Sequence, residues 1–262
     1  MKVLILGAGK MVEAILLGLK NESDLSQFYI YSPSGKTAEA LAKKVGVNFV
    51  SSLDDVNDPQ WVWVGCKPQQ LSNLAQSING KFSQATFVSM LAALCESDQR
   101  KILGVSKLVR IMPNLSVKFK KGITLISSDS APHEMKQISN LFSLIGLSQT
   151  VKESELEELT LLTGSGPALF YEFTRLLASS FTSLSSKERE GLARMVLSGS
   201  GVSLESAPEE LDQMIGQVTS KAGVTIAVLD EWKKLKLNEL IQAGILAGKK
   251  RSVEISQTLR DS

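Results

Sequence analysis

The chain of 262 residues is poor in the residue types that mark specialised proteins. It holds two cysteines, Cys66 and Cys95, too few for a disulfide framework and suited to a reducing compartment. One histidine, His133, excludes a multi-histidine metal site and any scheme that needs two imidazoles. It reads as a surface residue of the loop Ser130–Glu134. No run of about 18 apolar residues occurs, so no segment reads as a membrane-spanning helix. The opening run Val3–Leu6 gives way at once to glycines, Lys10 and Glu13, unlike a secretory leader. Lys+Arg 29 against Asp+Glu 27 leaves a net charge of +2, too small to point to a nucleic-acid or membrane partner. There is no internal repeat and no low-complexity linker. What is present, 43% hydrophobic and 21% charged residues, is ordinary globular composition, expected of a cytoplasmic enzyme or ligand binder.

The first half alternates short β-branched runs with helical stretches, the pattern of a parallel sheet wrapped by helices. Lys2–Leu6 is an uninterrupted apolar strand of the kind buried on both faces. Phe28–Tyr31, Trp61–Gly65, Phe87–Met90 and Leu108–Met112 read as further strands, with Ile123–Ile126 and Gln149–Val151 extending the sheet at its far edge. Beyond about residue 152 the strand signal ends. Glu153–Leu162 is acidic, then leucine-rich, and Pro167–Ser180 is apolar nearly all round, as a centrally buried helix should be. Capping boxes are expected at Ser185–Glu188 and Ser206–Glu209, with two more helices near Thr225–Lys234 and Leu237–Lys250. The fold class is therefore α/β: an N-terminal Rossmann-type parallel-sheet domain, 1–152, followed by an all-helical domain, 153–262.

Gly7-Ala8-Gly9-Lys10-Met11-Val12 follows the first strand and opens a helix. Gly7 permits a tight turn, and Gly9 lets backbone N–H groups approach a pyrophosphate at the positive helix end. The usual third glycine is Val12, whose bulk is expected to push helix and strand apart. An ordinary strand–turn–helix corner is the plainer alternative. At the end of the second strand, Tyr31-Ser32-Pro33-Ser34-Gly35-Lys36 lacks the acid that would hold a ribose hydroxyl and repel a phosphate. Two hydroxyls and a cation favour NADP(H), with NAD(H) the alternative.

Two more strands end in proline turns that can face a ligand, Cys66-Lys67-Pro68-Gln69 and Arg110-Ile111-Met112-Pro113-Asn114. Gly164-Ser165-Gly166-Pro167-Ala168 reads as a capped helix start. Val218–Thr225 is a polar loop running into a helix, a ready site for a carboxylate, with plain capping as the alternative. Glu153, Glu155, Glu157 and Glu158 read as a solvated helix face, and Lys249, Lys250 and Arg251 as complements to the end of the last helix. Cys66 reads as a small buried thiol.

As a set, these segments resemble the pyrroline-5-carboxylate reductases. The resemblance runs over nearly the whole chain, and its specific elements are Gly164–Ala168 and Ser220–Thr225. It implies reduction of Δ1-pyrroline-5-carboxylate to L-proline by NADPH or NADH. It also implies a homodimer formed through the helical domain, with larger rings of dimers in some relatives. It implies that Gly7, Gly9, Lys10 and Met11 form the pyrophosphate turn and that Ser32 and Ser34 meet the adenosine 2′ position. Lys67, Pro68, Met112 and Asn114 fall to the nicotinamide side. Ser220, Gly223 and Thr225 fall to the substrate, with the Thr225 hydroxyl on the ring nitrogen.

The chain departs from the family pattern at Ala93, where glycine is usual, and at Leu115-Ser116, where Thr-Pro is usual. Lys221-Ala222 replaces Pro-Gly, and Val224 replaces a threonine. These leave open a reductase of a related cyclic imine, or a dinucleotide-binding regulator without turnover. A β-hydroxyacid-type dehydrogenase would call for a catalytic lysine in Pro167–Ser180, which contains none.

Overall fold

The computed structural model describes residues 1–220 and 223–260. The chain divides into two compact units, Met1–Gly164 together with the segment from Lys249 onward, and Ser165–Gly248.

The first unit is built on one eight-stranded sheet in the order β3-β2-β1-β4-β5-β6-β7-β8. The strands are β1 Val3–Leu6, β2 Phe28–Tyr31, β3 Asn48–Phe49, β4 Trp61–Val64, β5 Thr86–Ser89, β6 Leu108–Pro113, β7 Gly122–Ser127 and β8 Gly146–Thr150. The first six run parallel; β7 pairs antiparallel with β6, and β8 runs parallel to β7. The two-residue β3 is too short to leave a pattern in the sequence. The helices of this unit are α1 Lys10–Leu19, α2 Lys36–Val45, α3 Leu71–Ile78, α4 Glu96–Leu103 and α5 Pro132–Ser143.

Both faces of the sheet are covered, as continuous apolar strands require. Val3 and Ile5 of β1 join a core with Ile15 and Leu19 of α1, Leu41 of α2 and Phe142 of α5. Leu4 and Leu6, alternating to the other side, join Leu71 and Ile78 of α3 and Leu103 of α4. Trp63 lies wholly inside the first core, edge-on to Phe28 at 5.6 Å and 5.8 Å from Phe142. His133 is exposed, as expected, but sits in the first turn of α5 and not in a loop.

The remaining helices are α6 Glu153–Ser179, α7 Ser186–Ser206, α8 Leu211–Gln217, α9 Val224–Lys234 and α10 Leu237–Arg260. Ser185 caps α7 with the reciprocal Glu188 contact that its spacing predicts. Three expectations are corrected. Gly164–Pro167 is not a helix start, because α6 runs through it unbroken, with Pro167 inside the helix. Ser206 closes α7 and caps nothing, and α8 begins after Glu210 without a side-chain cap. Lys249, Lys250 and Arg251 lie in the middle of α10, where Lys249 pairs with Glu158 and Arg251 with Glu254. The division between the two compact units falls within α6.

The apolar girdle of α6 is not buried by this chain. Leu169, Phe170, Tyr171 and Leu176 are all exposed, as are Met195 and Val196 on α7 and Leu240, Ile241 and Leu246 on α10.

Candidate active site

The strand order reverses direction between β1 and β4: the chain moves outward from β1 through β2 to β3, then returns to β4 on the other side. Ligands of open parallel sheets bind beyond the carboxyl ends of the strands at such a reversal. A cavity of about 700 Å³ lies there, lined by Gly7, Ala8 and Gly9 after β1, Ser32 and Ser34 after β2, and Lys67 after β4. Lys10, Met11 and Pro68 stand beside this lining and are not part of it.

Gly7 adopts φ +116°, and a Cβ there would meet the Gly65 carbonyl oxygen at 2.7 Å, so no other residue fits the turn. Gly9 is the N-cap of α1 and uses no side chain, so the first amides of the helix face the cavity without a protein cap. Val12 does not force helix and strand apart. It is buried, and a Cβ built on Gly65 would come within 2.5 Å of its Cγ2. The close approach usually secured by a third glycine on the helix is secured here by a glycine on the strand side.

Ser32 is nearly buried and Ser34 exposed, and the two hydroxyls meet at Thr37 on the first turn of α2. No carboxylate lines the cavity among the described residues. Its far wall is the polar face of α3, with Asn73 and Ser77 one turn apart, following Gln70. Gln70 accepts a hydrogen bond from the Lys67 amide at 3.1 Å and so fixes the turn after β4. Cys66 is half-buried beside it, and burial pushes its thiol up to about 11. It is a neutral thiol, not a nucleophile.

At the end of β6 the side chains of Met112 and Asn114 are engaged within the protein and are not part of the cavity lining. Met112 packs into a small core with Leu125 and Leu156 and does not face the cavity. Asn114 is buried; Oδ1 accepts from the amides of Ser116 and Ile123, and Nδ2 donates to the Thr163 carbonyl at 2.9 Å. That carbonyl is the one Pro167 cannot engage, since proline has no N–H to give the residue four positions before it. Here α6 passes through a proline because a side chain from the sheet takes up the orphaned acceptor.

The acidic run at the start of α6 is only in part a solvated face. Glu153 and Glu157, one turn apart, grip the guanidinium of the fully buried Arg110 at 2.6 and 2.5 Å. In the sequence this contact leaves only a pair of carboxylates at i and i+4 and an arginine within an apolar strand. Among the described residues no group of three acidic, cysteine or histidine side chains could hold a metal ion.

In the helical unit, Ser220 and Gly223 meet at the start of α9: the Gly223 amide donates to the Ser220 carbonyl at 2.9 Å. A Cβ on Gly223 would come within 2.3 Å of Ser220 Oγ. The helix's first bond runs from the Ala227 amide to the Gly223 carbonyl, so the amides of Val224, Thr225 and Ile226 precede it. The Thr225 side chain is exposed on that turn. The departures at Lys221-Ala222 lie outside the described residues.

A family model described as pyrroline-5-carboxylate reductase dimerisation matches residues 153–255. A second, described as NADP oxidoreductase coenzyme F420-dependent, matches residues 2–93. The pyrroline-5-carboxylate reductase of Staphylococcus epidermidis is 30% identical over 268 residues, covering 98% of this chain and 98% of its own. The fold is that of the Coxiella burnetii pyrroline-5-carboxylate reductase, with a TM-score of 0.88 at 22% identity over 97% of this chain and 98% of that one. The Plasmodium falciparum pyrroline carboxylate reductase, solved with NADP bound, gives 0.83 at 20% identity over 98% of each chain. With a relative of that identity matched over 98% of both chains, this chain belongs to the pyrroline-5-carboxylate reductase family.

Proposed function

We propose that this chain reduces Δ1-pyrroline-5-carboxylate to L-proline with NADPH, NADH being the weaker donor. The observation that carries the reading is a likeness of 30% identity over 98% of the chain to a reductase of that name. It is joined by a cleft whose shape suits a dinucleotide. Gly7 and Gly9 would hold the pyrophosphate against the start of α1, Ser32 and Ser34 the ribose phosphate, and the Lys67 turn the nicotinamide half. The reduced nicotinamide supplies a hydride.

A protonated cyclic imine is already electrophilic at the carbon that accepts hydride. The protein therefore needs to align the ring, fix its carboxylate and keep a proton at nitrogen. The first amides of α9, beside the Ser220–Gly223 hydrogen bond, suit the carboxylate. The Thr225 hydroxyl suits the ring nitrogen. No histidine or thiolate is needed, which agrees with His133 on α5 and with a neutral Cys66.

The chain works as a homodimer in this proposal. The bare apolar residues of α6, α7 and α10 fall in the segment matched by the dimerisation model, and a second copy would cover them. Its place is the cytoplasm, where Cys66 and Cys95 stay reduced. The deciding experiment follows loss of reduced-nicotinamide absorbance on adding pyrroline-5-carboxylate to the purified chain, with proline identified as product. Tight NADPH binding with no turnover would support the regulator instead. Light scattering on the same sample reads the subunit number, a monomer refuting the dimer and an even number larger than two indicating a ring of dimers.

A further inference from the structure

Three hydroxyls from two turns of chain converge on one rim of the dinucleotide cleft. Thr37 Oγ1 lies 3.3 Å from Ser32 Oγ and 3.5 Å from Ser34 Oγ, and all three residues line the same cavity. Thr37 is the common partner. The trio carries three hydroxyl hydrogens but only these two internal contacts, so at least one O–H has no acceptor within it and is available to an oxygen from outside. The lining of the cavity holds no Asp or Glu among the described residues and one lysine, Lys67. Such a pocket favours an oxyanion over a neutral sugar hydroxyl, because hydroxyl donors bond more strongly to a charged acceptor.

We infer that Thr37 is a specificity-determining residue, the central hydroxyl of a three-hydroxyl subsite for the ribose phosphate that distinguishes NADPH from NADH. The inference rests on the dinucleotide reading of the cleft. The loop composition points to Ser32 and Ser34; Thr37, in the first turn of α2 directly after the loop, comes within 3.5 Å of both hydroxyls. It thereby adds a third donor at the same point of the rim, where one phosphate group can meet all three.

The test is calorimetric titration of the purified full chain with NADPH, NADH and 2′,5′-ADP, which needs no turnover. Wild type is expected to bind NADPH more tightly than NADH. Thr37→Val, which keeps the shape and removes the hydroxyl, is expected to weaken NADPH and 2′,5′-ADP about tenfold or more while moving NADH less than about twofold. Thr37→Ser should restore NADPH binding to near wild type. An unchanged NADPH-to-NADH affinity ratio in Thr37→Val would overturn the role of Thr37. Wild-type protein that binds both dinucleotides equally would overturn the phosphate subsite. Wild-type protein that binds neither would overturn the dinucleotide reading beneath it.

Discussion

Asn114 donates its side-chain amide to the Thr163 carbonyl, and that carbonyl is the helical acceptor Pro167 leaves without a donor. A residue at the end of a sheet strand thus repairs a helix at the one place its sequence interrupts it. Asn114→Ala is expected to destabilise the fold by about 1–2 kcal/mol in urea titrations, the cost of a buried unpaired acceptor. In a Pro167→Ala background the helix can make its own bond there, so the same substitution should cost measurably less. Strictly additive effects of the two changes would show that the contacts are independent.

Gly65 and Val12 form a second coupled pair, because the valine methyl fills the space a side chain at 65 would need. Gly65→Ala should destabilise by about 1–3 kcal/mol through overpacking. Adding Val12→Ala should recover part of that loss, although Val12→Ala alone is destabilising. A thermal-melt cycle reads the sign directly.

Ala93 holds φ +69°, a conformation that suits the glycine usual in the family. Left-handed backbone costs a residue with a Cβ about 1–2 kcal/mol, offset in part by the greater freedom of glycine in the unfolded chain. Ala93→Gly is therefore expected to stabilise by about 0.5–1 kcal/mol. A lower melting temperature would mean the alanine methyl contributes more by packing than it costs by strain.

Cys66 offers a pH test. Its thiol titrates at about 11, held there by burial, so at pH 8 only about one molecule in a thousand carries the thiolate. Alkylation by iodoacetamide, followed by mass spectrometry, should be slow at pH 8 and rise through pH 10. Fast labelling at neutral pH would show an exposed or activated thiol and remove the argument that this side of the cleft lacks a nucleophile.

Thr225→Ala is expected to lower kcat/KM for pyrroline-5-carboxylate by about 1–3 kcal/mol of transition-state stabilisation, with NADPH affinity unchanged. Thr225→Ser should retain most of the rate. An unaltered kcat/KM in Thr225→Ala would take the ring nitrogen away from this hydroxyl.

Much of the first unit was legible because its signals are local. Lys2–Leu6 and Trp61–Gly65 announce strands buried on both faces, and the missing acid after Tyr31 is a matter of composition at one turn. The capping box at Ser185 depends on three residues of spacing and nothing more. The sequence by itself determined the α/β class, the glycine turn, the proline turns and the loop before α9, since each depends on neighbours along the chain.

Tertiary structure decided what depends on neighbours in space. Pro167 reads as a helix start until Asn114, far off in sequence, supplies the donor that lets α6 continue. Val12 reads as an obstruction until Gly65 is seen opposite it. Glu153 and Glu157 read as solvated until the buried Arg110 takes both carboxylates. Hydrogen-bond demand and steric room are set by pairs of residues, and one member of a pair carries no record of where the other will lie.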